Sequence, residues 1–264
     1  MTIHNLGLLN TLGAIINEGE TNSDYAFTNY ILKNINRINN VTVNEIVDNA
    51  YTSRSSIRRS CNKLGYNNFS EFKSKLTGII FPSNIHLRTF KNAPDYRNEL
   101  NIGLEEMISD INNVVTDEYI EYLVDLIHES DEIVFLSANN TSSNLIKFQQ
   151  ELFYAEKIVR LLNTNFNFKK ENFGESYLIF VVSISGVFSL SVDKMLQKMS
   201  GKRILITANR TQEIVSSYDE VIYLSQKDIS EDEIGLLGKY GITYLFDLIS
   251  QYYIYKYNDH KKNS

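Results

Sequence analysis

Between Tyr51 and Lys73 the chain reads YTSRSSIRRSCNKLGYNNFSEFK, with apolar residues at Ile57, Cys61 and Leu64. The spacing i, i+4, i+7 makes one stripe on a 3.6-residue period, and the rest of the circumference is polar and basic. Arg54 and Arg58 flank the stripe, while Ser55, Arg59 and Asn62 run down the far side. Ser53 is a good N-cap and Gly65 stands where a left-handed residue closes a helix, so the pattern predicts about three turns with defined ends. Just upstream, Thr42-Val43-Asn44-Glu45 spells a capping box for a short helix with Val43, Ile46 and Val47 apolar. Only Asp48 to Thr52 separates the two helices, which is helix-turn-helix spacing. Guanidinium forks and small donors on an exposed helix face suit phosphates and guanine edges.

The pattern then weakens between Gly78 and Glu99, where both prolines of the chain, Pro82 and Pro94, flank a polar stretch. This reads as a linker. A helical period resumes from Tyr96 to Asn113 through Leu100, Leu104, Met107, Ile108 and Ile111, and Thr116 caps a second helix with Ile120, Leu123, Val124 and Ile127 apolar. Beyond these, short apolar runs alternate with helical patterns. The expected strands are 132–137, 157–162, 177–184, 203–207 and 220–224. The expected helices are 142–156, 189–200, a short one near 212–217 and a long closing one over 236–257. Such alternation predicts a parallel, doubly wound α/β sheet. In these sheets ligands sit beyond the carboxyl ends of the strands, against helix N-termini, which points to the loops 137–144 and 183–191. The second loop holds Ser183, Ser185 and Gly186 between a fully apolar strand and a helix starting near Ser189, a workable phosphate cradle. The alternative reading is that these serines merely cap that helix.

Length and charge sharpen this division. At 264 residues and 43% apolar, the chain supports two ordinary domains with proper cores. Its net charge is −6, yet Asn49 to Ile80 carries six cations (Arg54, Arg58, Arg59, Lys63, Lys73, Lys75) against one acid, Glu71. A basic patch on an acidic protein supplies local phosphate attraction without general stickiness to nucleic acid. The lone cysteine, Cys61, lies on the apolar side of the basic helix, so no disulfide framework exists and packing is its expected role. The histidines, His4, His86, His128 and His260, lack a second ligand at metal spacing, and neither a metal nor a cofactor is expected. The first twenty residues lack a basic n-region, and nowhere do eighteen apolar residues run together, so a cytoplasmic chain with no membrane partner is expected.

The run from Ser53 to Lys73 resembles the RpiR-type bacterial transcriptional regulators. Their N-terminal domain reads as a serine-led recognition helix, a leucine-glycine-aromatic step and a phenylalanine-x-x-phenylalanine-lysine helix. Here these are Ser53, the KLGY step and FSEFK. The resemblance covers roughly residues 1–78 and implies binding of a double-stranded DNA operator through Thr52, Ser53, Arg54, Ser55, Arg58, Arg59, Asn62 and Lys63. Ser56, Ile57 and Ser60 depart from the residues common at those places.

Ser183-Ile184-Ser185-Gly186 in turn resembles the sugar isomerase (SIS) domain, the usual second half of such regulators, over about residues 116–257. That resemblance implies a sugar-phosphate effector held by Thr141, Ser142, Ser183, Ser185, Gly186 and Ser189, and a homodimer or higher homo-oligomer. Two departures stand out. The family's glycine-x-glycine-x-serine first loop is Ser137-Ala138-Asn139-Asn140-Thr141 here, and its acidic-threonine pair after the second-loop glycine is Val187-Phe188. Three readings follow: a phosphosugar sensor, a domain that has lost that ligand and serves dimerisation or another effector, and a sugar-phosphate isomerase. An isomerase needs a positioned base, and Glu151, Glu156 and Glu175 read more simply as surface acids, so no catalytic residue is assigned. The expected organisation is a helix-turn-helix domain over 1–78, a linker over 79–98, an α/β domain over 99–257 and a polar tail over 258–264.

Overall fold

The computed structural model describes residues 4–19, 22–80, 91–163, 177–197, 199–210, 215–227, 229 and 235–257. It divides into two compact units, Met1–Leu87 and Arg88–Ser264. The expected tail, Glu175, part of the linker and most of the short helix near 212–217 lie outside the described residues.

The first unit is helical: α1 (His4–Glu18), α2 (Ser23–Lys33), a 3-10 segment (Ile35–Asn40), α3 (Val43–Ala50), α4 (Arg54–Lys63) and α5 (Phe69–Ile80). The bounds of α4 follow from local chemistry. The Ser53 hydroxyl accepts the Ser56 amide at 3.1 Å. At the other end Gly65 takes φ +85°, letting its amide reach Asn62 O at 3.0 Å while the Tyr66 amide reaches Cys61 O at 2.9 Å. This is a Schellman closure, which favours glycine because a side chain at that φ is strained. It turns the Tyr66 ring back onto Phe72, centroids 5.7 Å apart, and Phe72 packs on Phe27 at 5.4 Å. The KLGY–FSEFK run is thus a turn that delivers aromatics to the core. Its lysine, Lys73, donates to Asn39 O and Val41 O at 3.2 and 3.1 Å, tying α5 to the end of the 3-10 segment.

Ile57 and Cys61 are buried in this core with Leu12, Ile31, Ile46 and Leu76. Burial pushes the Cys61 thiol up to about 11, so it stays protonated and packs as a small hydrophobe. Thr42 caps α3 as expected, accepting the Glu45 amide at 3.2 Å. The Glu45 carboxylate takes further donors, the Tyr30 hydroxyl at 2.7 Å and the Arg37 guanidinium at 2.5 Å, and these hold it below the usual carboxylate range.

The second unit opens with α6 (Ala93–Val114) and α7 (Asp117–Glu129), then alternates β1 (Glu132–Ser137), α8 (Asn139–Tyr154), β2 (Val159–Asn163), β3 (Tyr177–Val182), α9 (Val187–Leu196), β4 (Lys202–Thr207) and β5 (Glu220–Tyr223). It closes with α10 (Ile242–Tyr257), which a π-helical segment, Leu237–Gly241, precedes. The helix α6 starts inside the stretch expected as linker, because Asn92 caps it by accepting the Asp95 amide at 3.0 Å and Pro94 sits in its first turn, where no amide is needed.

All strand pairs are parallel, in the order β2-β1-β3-β4-β5. The fold class is therefore α/β and doubly wound, as the alternation predicted. One face carries Ile133, Phe135, Leu178, Phe180, Ile204 and Ile206 against Phe148 of α8 and Leu245, Phe246 and Ile249 of α10. Phe135 and Phe180 are register partners and stack at 4.7 Å, with Phe246 edge-on to Phe135 at 5.2 Å. Each such ring stabilises the fold by roughly 1.5–3 kcal/mol through burial. Glu156, at φ +58°, closes α8 while the Lys157 amide bonds Leu152 O at 2.9 Å, so β2 begins two residues later than the apolar pattern suggested.

The strongest polar tie of the first unit joins α2 to α4. Asp24 accepts the Ser60 hydroxyl at 2.5 Å through one carboxylate oxygen and the Lys63 ammonium through the other. Partial burial would raise this carboxyl, but the Lys63 and Ser60 donors outweigh it and hold Asp24 below the usual range. A depressed acid contributes stability that is present above its unfolded value, near 3.8, and is lost as pH falls through the lower folded one. Asp24→Asn is therefore expected to loosen α4 by about 1–3 kcal/mol at pH 7. Hydrogen exchange of the α4 amides measures this, and the gap to the wild type should shrink below about pH 4.

Candidate nucleic-acid interface and effector loop

The stretch from α3 to α4 presents the basic residues unequally. Arg58, Arg59 and Asn62 are exposed on α4, with Arg59 opposite Ile57 and Cys61 and Arg58 flanking them, and Ser55 is exposed in its first turn. Arg54 is exposed, but its guanidinium donates to the Asn44 Oδ1 of α3 at 2.6 Å, which fixes it across the turn. Ser53 is occupied as the cap, and its hydroxyl also meets the Ser55 and Ser56 hydroxyls at 2.8 and 2.9 Å. Lys63 is held by Asp24. The Thr52 hydroxyl oxygen is buried and makes no hydrogen bond, so it faces the inside of the turn and not the outer surface. Of the eight residues named from sequence, all but Thr52 are exposed, with Arg54 tied to Asn44, Lys63 paired with Asp24 and Ser53 occupied as the cap.

Sequence reasoning missed Asp24 and Ser60, which set the orientation of α4. They lie 36 positions apart, and no local pattern links them.

In the second unit, the order β2-β1-β3-β4-β5 reverses direction at β1 and β3, and the crevice at their carboxyl ends is where such sheets take ligands. Ser137 and Val182 are register partners there, so Ala138 and Ser183 leave the sheet side by side. The first of these loops is short: α8 begins at Asn139, not at Ser142 as expected, and the residue at its N-cap, Ala138, offers no side-chain cap. Thr141 is half-buried in the first helical turn, its amide bonded to Ala138 O at 2.9 Å. Ser142 lies one position further along α8, and its side chain is outside the described residues.

The second loop is tightly built. The Gly186 amide donates to Ser183 O at 3.0 Å, and Gly186 takes φ +80°, so α9 starts at Val187 and not near Ser189. The buried Ser183 hydroxyl accepts the Ser189 amide at 3.1 Å, and the buried Ser189 hydroxyl donates to Gly186 O at 2.6 Å. The end of β4 holds the loop from the other side: Thr207 Oγ1 donates to Ile184 O at 3.2 Å and Asn209 Nδ2 to Ser185 O at 3.0 Å. Ser183 therefore acts as a helix cap, and Ser189 ties the first turn of α9 back to the Gly186 carbonyl. Ser185 is half-buried beside them, and by helix geometry the Val187 and Phe188 amides have no intrahelical acceptor. The loop can offer an anion those two amides and the positive end of the ten-residue α9.

The acids weighed as bases have other roles. Glu151 accepts the Ser250 hydroxyl of α10 and pairs with Lys147 at 3.3 Å, and Glu156 closes α8. A separate cleft of about 300 Å³ is lined on α6 by Leu100, Glu106, Met107 and Asp110 and across from it by Lys227 and Leu237 among others, and includes none of the loop residues. Among the described residues, no helix is long and apolar enough to cross a membrane.

No curated protein matches the sequence. Among the solved structures that resemble the chain at low identity are the following three. The NanR protein of Vibrio vulnificus, complexed with ManNAc-6P, is 16% identical, with 97% of this chain and 94% of that one covered and a TM-score of 0.46. A hypothetical protein of Methanococcus jannaschii, described as inferring a 3-hexulose-6-phosphate isomerase, is 18% identical over 61% of this chain and 92% of its own, with a TM-score of 0.49. The sugar isomerase domain of an RpiR transcription factor from Sphaerobacter thermophilus is 10% identical over 60% and 91%, with a TM-score of 0.43. Residues 9–82 match the family model of the rpiR-family helix-turn-helix domain, a span that takes in α2 to α5, the Asp24 tie and the exposed arginines of α4. The N-terminal domain of this chain is a helix-turn-helix domain of the rpiR family.

Proposed function

We propose that the chain is a DNA-binding transcriptional regulator whose α/β domain senses a phosphorylated sugar. The observation that carries the first half is the exposed row of Arg58, Arg59 and Asn62 on a helix whose opposite side is locked into the core. In this reading α4 enters the major groove, Arg58 and Arg59 meet phosphates or guanine edges, and Asn62 reads a neighbouring base. The free amides of Val187 and Phe188, with the Ser185 hydroxyl beside them, receive the phosphate of the effector at the β1/β3 edge. The protein works in the cytoplasm as a homodimer, because a symmetric pair of recognition helices matches operator half-sites about one helical turn or a multiple apart. The effector acts by binding one dimer geometry more tightly than another, since only differential affinity shifts such an equilibrium. No catalysis is part of this reading: the Glu151 carboxylate is taken up by the Ser250 hydroxyl and Lys147.

One observation favours a second reading of the α/β domain. The Ser183 and Ser189 hydroxyls are used inside the loop, and Val187 stands 42% exposed where the SIS-type pattern has an acid. On that reading the domain serves dimerisation or another effector.

Replacing Arg58 and Arg59 together with alanine should weaken binding to duplex DNA and make the log-affinity against log-salt slope shallower by about 2, with the circular dichroism unchanged. A thermal-shift series against sugar phosphates separates the two readings of the second domain. A sensor is stabilised by about 2.7 kcal/mol at a hundredfold excess over its Kd, and Ser185→Ala should shrink that shift. No shift across the series supports the second reading.

A further inference from the structure

The turn of the helix-turn-helix contains a residue that the reading above leaves without a role. Tyr51, the residue after α3, takes φ 51° and ψ 42°, in the left-handed region. A bulky side chain there is an outlier, whereas glycine or asparagine adopts it cheaply. Among the described residues only Glu156 shares the feature, and there the conformation closes α8 with a 2.9 Å bond from Lys157 to Leu152. At Tyr51 the same conformation ends α3, a place where glycine or asparagine would serve without the strain. Its side chain is 96% exposed, so the ring gains almost no burial within its own domain. A local rule broken without a compensating contact marks a place where function sets the residue.

Its position says what that function is. Only Thr52 and Ser53 separate Tyr51 from the first residue of α4, so its Cα lies within about 11 Å of that of Arg54 even if the chain between them is fully extended. Tyr51 is therefore an exposed residue close along the chain to the N-terminal end of α4, the helix that carries Ser55, Arg58, Arg59 and Asn62. A neutral donor on a flat apolar ring suits the edge of a groove, where deoxyribose offers an apolar surface and phosphate oxygens accept.

Resting on the DNA-binding reading, we propose that Tyr51 is a DNA-backbone contact, its ring against a deoxyribose and its hydroxyl donating to a phosphate oxygen beside the groove that α4 enters. The contact positions the helix without reading sequence. It is made only in the complex, which is why the free domain shows the strain and not the gain.

A sequence-independent contact is measurable on a labelled duplex of random sequence, titrated at several salt concentrations with the full-length protein. Tyr51→Gly should melt no lower than the wild type yet bind about tenfold more weakly. Its salt slope should stay unchanged, because the lost group is neutral. Tyr51→Phe keeps the ring and the backbone, and should fall between the two. Wild-type affinity in Tyr51→Gly overturns the proposal, and so does a weakened affinity with a shallower slope, which would mean that a cation such as Arg54 had been displaced instead. The Arg58→Ala, Arg59→Ala double variant separates the two failures. If it binds as the wild type does, or if the wild type does not bind at all, the DNA reading fails and Tyr51 with it. If it binds weakly while Tyr51→Gly binds normally, only the Tyr51 contact fails.

Discussion

Which side chains α4 turns outward depends on how that helix is rolled about its axis, and the Asp24 carboxylate limits the roll. Apolar burial is non-directional, so the stripe of Ile57 and Cys61 alone tolerates some rotation. Hydrogen bonds weaken steeply off their preferred angles, and Asp24 makes two of them, to Ser60 inside the buried stripe and to Lys63 at its margin. Ser60 and Lys63 are three positions apart, so both lie near one line along the helix. One residue of slippage would swing every side chain by about 100° and carry Arg58 and Arg59 off the exposed face. A serine inside the buried stripe, at odds with a purely apolar pattern, is thus explained by the carboxylate it meets.

The same contrast decides what could be read from the chain beforehand. The ends of α4 were legible because their determinants are local: Ser53 reaches three residues forward, and Gly65 closes a helix whose last bonds span a few positions. The arginine row was legible from periodicity alone. Helical spacing alone could not show that the Thr52 hydroxyl turns inward, nor that Lys63 meets an acid 39 residues away. In the α/β domain, alternation was enough for the class and the parallel sheet, while the starts of α6, α8 and α9 were placed too late. The α9 cap comes from Ser183, six residues before the amide it accepts, and α8 starts at Asn139 behind Ala138, with no side-chain cap to announce it.

That second unit shows how few groups a short loop has to spare. Of the hydroxyls at the β3–α9 turn, those of Ser183 and Ser189 are committed to shaping it. Their hydrogen bonds, with the left-handed Gly186 between them, shape the start of α9 at the crevice. A ligand at this edge would therefore be met chiefly by backbone amides, whose positions these bonds determine. Backbone donors suit a phosphate well and select poorly among sugars, so discrimination between sugars would have to come from side chains around the loop and not from the serines themselves.

The six cations between Asn49 and Ile80 likewise do different things. Lys63 is neutralised at close range by Asp24, so it adds little to the field beyond the first unit. Lys73 is bound by carbonyls, which carry no net charge, so it keeps its long-range attraction while being unable to leave for a phosphate. Arg54 is oriented by the neutral Asn44 and keeps its charge at a fixed place beside the turn. Steering and contact are thereby divided: more cations draw a polyanion toward this face than can touch it. With few ionic contacts, the salt dependence of binding would be modest, and affinity would depend more heavily on the neutral groups around the arginines, Ser55, Asn62 and the ring of Tyr51.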